Sequence, residues 1–323
     1  MQRFKIYLAA ISAITVLAAP ASQAQTSYPN KPIRILTGSS PGAPSDLVAR
    51  LLAEKLANQF KQPVVVENRA GANNGLAAQQ VARAAPDGYT LLVTPDTAIT
   101  VNPLVFTKMD FDPRTDLNPI SLLASFNQIM VCNSSLKINT VKELVERAKQ
   151  SDLTYASGGP GSPGNLAAEL FLHGAGITMT HIPYKGPSPA LTDVMGGQVD
   201  CGFLTTPTVL PHVKTGRLTA LAVSSSTPSP MAPTVPTLPQ VGLPDIDASF
   251  NQYLMAPTGT PQTVLDTLQK AVQEALKEQD MRDRLMLLDL TPAGSTPEQA
   301  RTRLKQDTEK WGAVVKRMDL HPN

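Results

Sequence analysis

The chain has 323 residues, 42% hydrophobic and 17% charged, which suits about two globular domains and excludes a disordered chain. Lys and Arg number 28 against 26 Asp and Glu, too balanced for a nucleic-acid binder with its basic face or arm. Two cysteines exclude a disulfide scaffold and a Cys-rich zinc site.

Arg3 and Lys5 precede an almost unbroken apolar run over 6–19, followed by Ser22-Gln23-Ala24. That order reads as an export signal (1–24) cut near Ala24, and the run is shorter than the ~20 residues of a membrane span. The mature chain would start near Gln25, be exported and stay soluble. Without Arg3 and Lys5 it carries 26 basic and 26 acidic residues. Export counts against functions that need ATP, NAD or reduced thiols.

Strands, turn-rich loops and helices then alternate. Residues 33–36 read as a strand and 38–46 as a Gly- and Ser-rich loop. Residues 47–60 read as an amphipathic helix with Leu47, Leu51, Leu52 and Leu56 on one face and Ser45 or Asp46 as N-cap. Strand 64–67 leads through Asn73-Asn74-Gly75 into helix 76–83, and strand 91–94 ends at Pro95-Asp96-Thr97. The pattern restarts with strands 129–132, 153–157, 179–184, 199–204 and 218–224, and helices 141–149, 165–173 and 189–195 among them. A Pro- and Ser-rich connection (227–244) precedes strand 250–256, which returns to the first half. Helices 261–278 and 297–318 each open on a proline.

This alternation predicts parallel βαβ units in two doubly wound α/β domains, 25–126 plus 249–323 and 127–248. A ligand cleft is expected between them, outside the carboxyl ends of the strands. Cys132 and Cys201 lie in strand-like stretches. An even count in an oxidising compartment permits one disulfide, but the favoured reading is two buried thiols packing as small hydrophobes.

Gly159-Pro160-Gly161-Ser162-Pro163-Gly164 spells GxGxxG between a strand and a helix. A dinucleotide site also needs an acid at the end of the next strand, where Tyr184-Lys185-Gly186 stands. Pro160 and Pro163 remove N–H groups that would hold a pyrophosphate. The loop reads instead as an anion site at a helix N-terminus. Ser39, Ser40, Gly42 and Ser45 give the first loop similar chemistry, and Asn73-Asn74-Gly75 is a third such loop. Each alone is equally an ordinary capped turn. Their recurrence in repeated βα units favours a ligand. Catalysis has little support: His173, His181, His212 and His321 form no HExxH, and no GxSxG occurs. His173 is expected on a helix surface, His321 in a frayed tail, and Trp311 as an anchor of the last helix. No metal or cofactor is expected.

Several segments in order carry a family resemblance. They are Tyr28-Pro29-Asn30-Lys31-Pro32-Ile33-Arg34, Pro63-Val64-Val65-Val66-Glu67-Asn68-Arg69, Ala84-Ala85-Pro86-Asp87-Gly88-Tyr89-Thr90-Leu91 and Leu153-Thr154-Tyr155-Ala156-Ser157. Pro183-Tyr184-Lys185-Gly186, Ala190-Leu191-Thr192-Asp193 and Gly196-Gly197-Gln198-Val199-Asp200 follow. Over nearly all of the mature chain this set resembles the Bug-type periplasmic solute receptors of tripartite tricarboxylate transporters.

The resemblance implies a monomeric, non-enzymatic, type II-like periplasmic binding protein. Such a protein closes on a small organic carboxylate and delivers it to the membrane subunits of the transporter. It implies that first-domain loops hold one carboxylate through backbone amides and ordered waters, at Ser39, Ser40, Gly42, Ala43, Ser45, Asp46, Asn73, Asn74 and Gly75, with Asp96 and Thr97 nearby. The second face would come from Ser157, Gly158, Gly161, Ser162 and Asn165, with Tyr184, Lys185 and Thr205 beside the cleft. Two departures stand out. Ser39 replaces a usual aromatic residue, which leans toward hydroxylated or smaller acids. Phe203 is followed by Leu204 and Thr205 where members often have Phe-Asp, which disfavours an amine-bearing ligand. The competing readings are a periplasmic hydrolase using a Ser or Asp of the same cleft, and a ligand sensor for a kinase.

Overall fold

Short β-branched runs between Gly- and Pro-rich turns form the strands of this computed structural model, which describes residues 28–106 and 108–318. The export signal, its cleavage near Ala24, and His321 lie outside the described residues. The strands are β1 (Ile33–Thr37), β2 (Val64–Asn68), β3 (Thr90–Pro95), β4 (Leu117–Phe126), β5 (Gln128–Asn133), β6 (Thr154–Ser157), β7 (Thr180–Pro183), β8 (Cys201–Thr205), β9 (Leu218–Val223), β10 (Phe250–Pro257) and β11 (Leu290–Pro292). The helices of the first half are α1 (Pro44–Phe60), α2 (Gly75–Ala82), α3 (Thr97–Thr100), α4 (Asn102–Val105) and α5 (Pro113–Asp116). Next come α6 (Val141–Ala148), α7 (Pro163–Ala175), α8 (Pro187–Met195) and α9 (Thr206–Lys214), and the chain closes with α10 (Gln262–Lys277), α11 (Gln279–Met286) and α12 (Pro297–Arg317).

Two α/β sheets result. The first has the order β11-β4-β10-β3-β1-β2 and the second β7-β6-β8-β5-β9. β1 runs parallel to β2 and β3, and β6 parallel to β7 and β8. β10 lies antiparallel between β3 and β4, and β5 antiparallel between β8 and β9. The parallel βαβ units expected from the alternation are present in both sheets, and each sheet is mixed because one antiparallel strand is inserted among them. The strands that carry the chain from one sheet to the other enter with reversed direction. Helices cover both faces. Ile33 and Ile35 belong to one core with Leu52, Leu56 and Leu268, and Leu36, Leu92 and Tyr253 to another with Ala77, Ala78 and Leu304. Burial on both faces is why these strands read as unbroken apolar runs.

Only Asn127 separates β4 from β5 at the first crossover. Ser224 staples it to the return crossover: its Oγ accepts from Gln128 N (3.0 Å) and donates to Ala248 O (2.9 Å). Trp311 is fully buried and stacks on Phe250 at 4.8 Å, anchoring α12. His173 is exposed on α7.

Other corrections concern local chemistry. α1 starts a turn earlier than expected, with Ala43 as N-cap, so neither Ser45 nor Asp46 caps it. Pro44 fits the first turn because its missing N–H has no intrahelical partner there. β4 was not legible: Pro119 interrupts its pattern, and a register irregularity beside Met255 accommodates that proline. α9 was hidden by Pro207 and Pro211, the second inside the helix. The favoured reading of two free thiols is also corrected. Cys132 and Cys201 form a disulfide between β5 and β8. The Asn133 N–H bond to Asp200 O marks the neighbouring pair as hydrogen-bonded, so the cysteines occupy the non-hydrogen-bonded pair, where side chains approach most closely.

Candidate functional site

Five helices begin on one cavity of about 480 Å³ between the two sheets. α1 meets it at Ala43 to Ser45, α2 at its N-cap Asn74, α7 at Ser162 to Gly164, α8 at Gly186 and Pro187, and α9 at Thr205. A helix N-terminus leaves backbone N–H groups without intrahelical partners and carries partial positive charge. Two lobes thus aim such ends at one volume.

Of the residues expected from sequence, Ser39, Ser40, Ala43, Ser45, Asn73, Asn74, Gly158, Ser162, Tyr184, Lys185 and Thr205 line the cavity. Gly42, Asp46, Gly75, Asp96, Thr97, Ser157, Gly161 and Asn165 do not line it. Several of these shape it. The Asp46 carboxylate accepts from Gly42 N (2.9 Å), Arg50 Nε (3.0 Å) and Asn68 Nδ2 (2.9 Å). Burial would raise its pKa, but those partners outweigh burial and hold it below the usual carboxylate range. Asn68 also donates to Ser39 O (3.0 Å), fixing the first loop. Ala72, Asn73 and Asn74 all have left-handed φ (47°, 46° and 69°). The amide of Asn102 holds this turn through Ala72 O (3.3 Å) and Asn73 O (3.0 Å), and Gly75 N closes on Ala72 O.

Ser162 caps α7, while Asn165 Oδ1 accepts from Gly161 N (2.9 Å) and its Nδ2 donates to Tyr155 Oη (2.8 Å). The lobes touch where Asn73 Nδ2 donates to Gly161 O at 3.0 Å.

Ser157 Oγ lies 2.7 Å from His181 Nε2. Ser157 is fully buried and off the cavity wall, and its hydroxyl also bonds the Gly159 backbone. Burial lowers the His181 pKa to about 4, so the ring is neutral. This pair braces the loop rather than presenting a nucleophile. Among the described residues no group of three or more His, Cys, Asp and Glu could hold a metal ion, and no helix is long and apolar enough to cross a membrane.

Gln128, Gln252 and Phe126 escape the sequence reading and lie on the wall, as does Phe203, which the sequence marks only through the residues after it. Ser45 Oγ donates to Gln252 Oε1 (2.9 Å), which leaves the Gln252 NH₂ for the cavity. The only available signal was a glutamine inside each of two apolar strands.

Asp96 sits behind Pro95, fully buried, accepting from Thr97 N (2.9 Å) and Trp311 Nε1 (3.4 Å). Burial, with Asp307 beside it, pushes its pKa up to about 8. Its folded pKa lies above the unfolded value of about 3.9, so the native state keeps a proton that the unfolded chain releases. That contribution is full below about pH 4 and falls as pH rises toward 8, by up to about 1.4 kcal/mol per pH unit. In thermal melts from pH 5 to 8, Asp96→Asn should lose less stability than wild type as pH rises. Parallel profiles for the two proteins would contradict this.

A family model described as the tripartite tricarboxylate transporter family receptor matches residues 48–320. Protein BugT of Bordetella pertussis is 33% identical over 319 residues, covering 98% of this chain and 97% of BugT. Among solved structures, R. palustris Rpa4515 with adipate is 28% identical with a TM-score of 0.88, covering 92% of this chain and 100% of that one. MatC from Rhodopseudomonas palustris with bound malate is 29% identical with a TM-score of 0.82, covering 89% and 100%.

Proposed function

We infer the function from an established premise: this chain belongs to the tripartite tricarboxylate transporter family of receptors. It acts as an exported, monomeric periplasmic receptor, cut near Ala24. It closes two lobes, 25–126 with 249–323 and 127–248, on a small organic carboxylate and presents the closed form to the transporter's membrane subunits. A sensor kinase that reads the same closed form is a further partner class.

The observation that carries this reading is the wall itself. Helix N-termini converge on it from both sheets, and among the described residues it includes Lys185 and no Asp or Glu side chain. Such a wall stabilises an anion and offers no carboxylate acceptor for the ammonium of an amino acid. Similar proteins hold adipate and malate, neither of which carries a cationic group. A ligand favours closure only by contacting both lobes better when they are closed.

Calorimetry and thermal shift over a carboxylate library test the reading. At 100 times its Kd a true ligand stabilises by roughly 2.7 kcal/mol, and it should be recovered unchanged after incubation. Tight binding of aspartate or glutamate, with no binding of simple mono- or dicarboxylates, would reject the reading. Conversion of the ligand to product would favour the hydrolase.

A further inference from the structure

Building on the carboxylate-receptor reading, we propose that His181 is a positioning residue for the bound acid: with hydrogen on Nε2 it donates to Ser157, which leaves Ser162 to give its hydroxyl proton to the ligand. The relay begins on the cavity wall, where Ser162 caps the N-terminus of α7. Among the described residues its hydroxyl has one acceptor in reach, Ser157 Oγ at 3.5 Å, a long contact that leaves the proton free to turn. Ser157 Oγ also meets His181 Nε2 (2.7 Å), Gly159 N (3.2 Å) and Gly159 O (3.2 Å). The His181 ring, on β7, is fixed by stacking on Tyr155 of the neighbouring β6, with centroids 4.7 Å apart and planes 14° apart. Ser157 is its one hydrogen-bond partner among the described residues, and Nδ1 is not an enclosed atom, so water serves it in either tautomer.

The hydroxyl protons allow two arrangements. A serine hydroxyl has one proton and two lone pairs. Gly159 N can only donate, so it takes one lone pair of Ser157. If Nε2 is bare, the Ser157 proton points to it and the second lone pair draws in the Ser162 proton. Ser162, whose other contact is the N–H of Asn165 (3.4 Å), then turns a lone pair to the cavity and repels an anion. If Nε2 carries the hydrogen, His181 fills that second lone pair and the Ser157 proton points to Gly159 O. The Ser162 proton is then left for the carboxylate. A ligand that engages Ser162 vacates a lone pair of Ser157, which is fully buried. The Nε2–H form fills it again and so removes the cost of an unmade buried bond. Which nitrogen of a neutral imidazole holds the hydrogen is set by such partners.

The test combines calorimetry and long-range ¹H–¹⁵N spectra of the mature protein with adipate, malate, succinate and benzoate, taking the tightest binder forward. In the wild-type complex at neutral pH the His181 ring should show the Nε2–H tautomer, its signals being those absent from His181→Gln. His181→Phe keeps a ring against Tyr155 but has no donor, and it should weaken binding about tenfold or more, the worth of one charge-assisted hydrogen bond. Ser162→Ala should lose as much. The two together should lose little more than either alone, because they remove one relay. His181→Gln, whose amide can donate to Ser157, should stay within about threefold of wild type. The Nδ1–H tautomer in the complex, a His181→Phe affinity within about threefold of wild type, a His181→Gln loss as large as that of His181→Phe, or additive losses overturn the proposal while leaving the receptor reading standing. If none of the four acids binds, both fail.

Discussion

Gly38→Ala is expected to weaken carboxylate binding by on the order of 100-fold while leaving the protein folded. A Cβ at Gly38 would lie 2.3 Å from Asn74 Cα, 2.6 Å from Asn74 Cβ and 2.7 Å from Asn74 O. Those are backbone or near-backbone atoms and cannot swing aside like the end of a long side chain. Asn74 is also poorly placed to yield. It caps α2 in a left-handed conformation, at the end of the turn that Asn102 clamps. The loops bearing the α1 and α2 N-termini must therefore move apart. Overpacking of this kind costs typically about 1–3 kcal/mol, which a chain of this size can absorb. Binding is more sensitive. Two charge-assisted hydrogen bonds at about 1.5 kcal/mol or more each amount to roughly 100-fold in Kd. Calorimetry with the tightest wild-type ligand, beside a melt showing a cooperative transition, measures both quantities. An affinity within about threefold of wild type would mean that the close approach of the two loops does not build the site.

Much of this architecture can be read from the residues. β1 to β3, β6 and α1, α2 and α7 are visible because an apolar run, a Gly- or Ser-rich turn and a helical stripe follow one another. The same turns become the cavity wall, so Ser39, Ser40, Asn73, Asn74, Gly158 and Ser162 are found with the fold. What escapes notice depends on partners distant in sequence. β4 contains Asn118, Pro119 and Ser121, and is a strand because β10 and β11 flank it. Gln128 and Gln252 resemble the polar residues of a half-exposed strand until the second sheet encloses them. Asp96 follows a strand and precedes a helix like the other candidates, yet Trp311, 215 residues away, draws its carboxylate to the far side of the wall. The cysteine pair is hidden for the same reason, since 69 residues separate the two and only the strand order brings β5 beside β8.

That pairing leads to the second large expected effect: Cys132→Ala combined with Cys201→Ala should lower the melting midpoint by on the order of 10 °C. In the chain-entropy account, a crosslink closing a loop of this length restricts the unfolded chain by about 4 kcal/mol. At about 2–4 °C per kcal/mol for a domain of this size, the shift is easily read. Both side chains are buried, so truncation also leaves a small void beside the β5–β8 pair, in the same direction. Ligand affinity should change much less. β5 is still held by β9, and the wall positions Phe203 and Thr205 on β8 and Gln128 on β5 lie along paired backbone. Reductant separates the crosslink from the void. With dithiothreitol present, wild type should melt close to the double-alanine protein, and the variant should not respond. A wild-type midpoint unmoved by reductant while its thiols become titratable would show that chain closure contributes little here. A variant that melts with wild type in the absence of reductant would remove the stabilising role altogether.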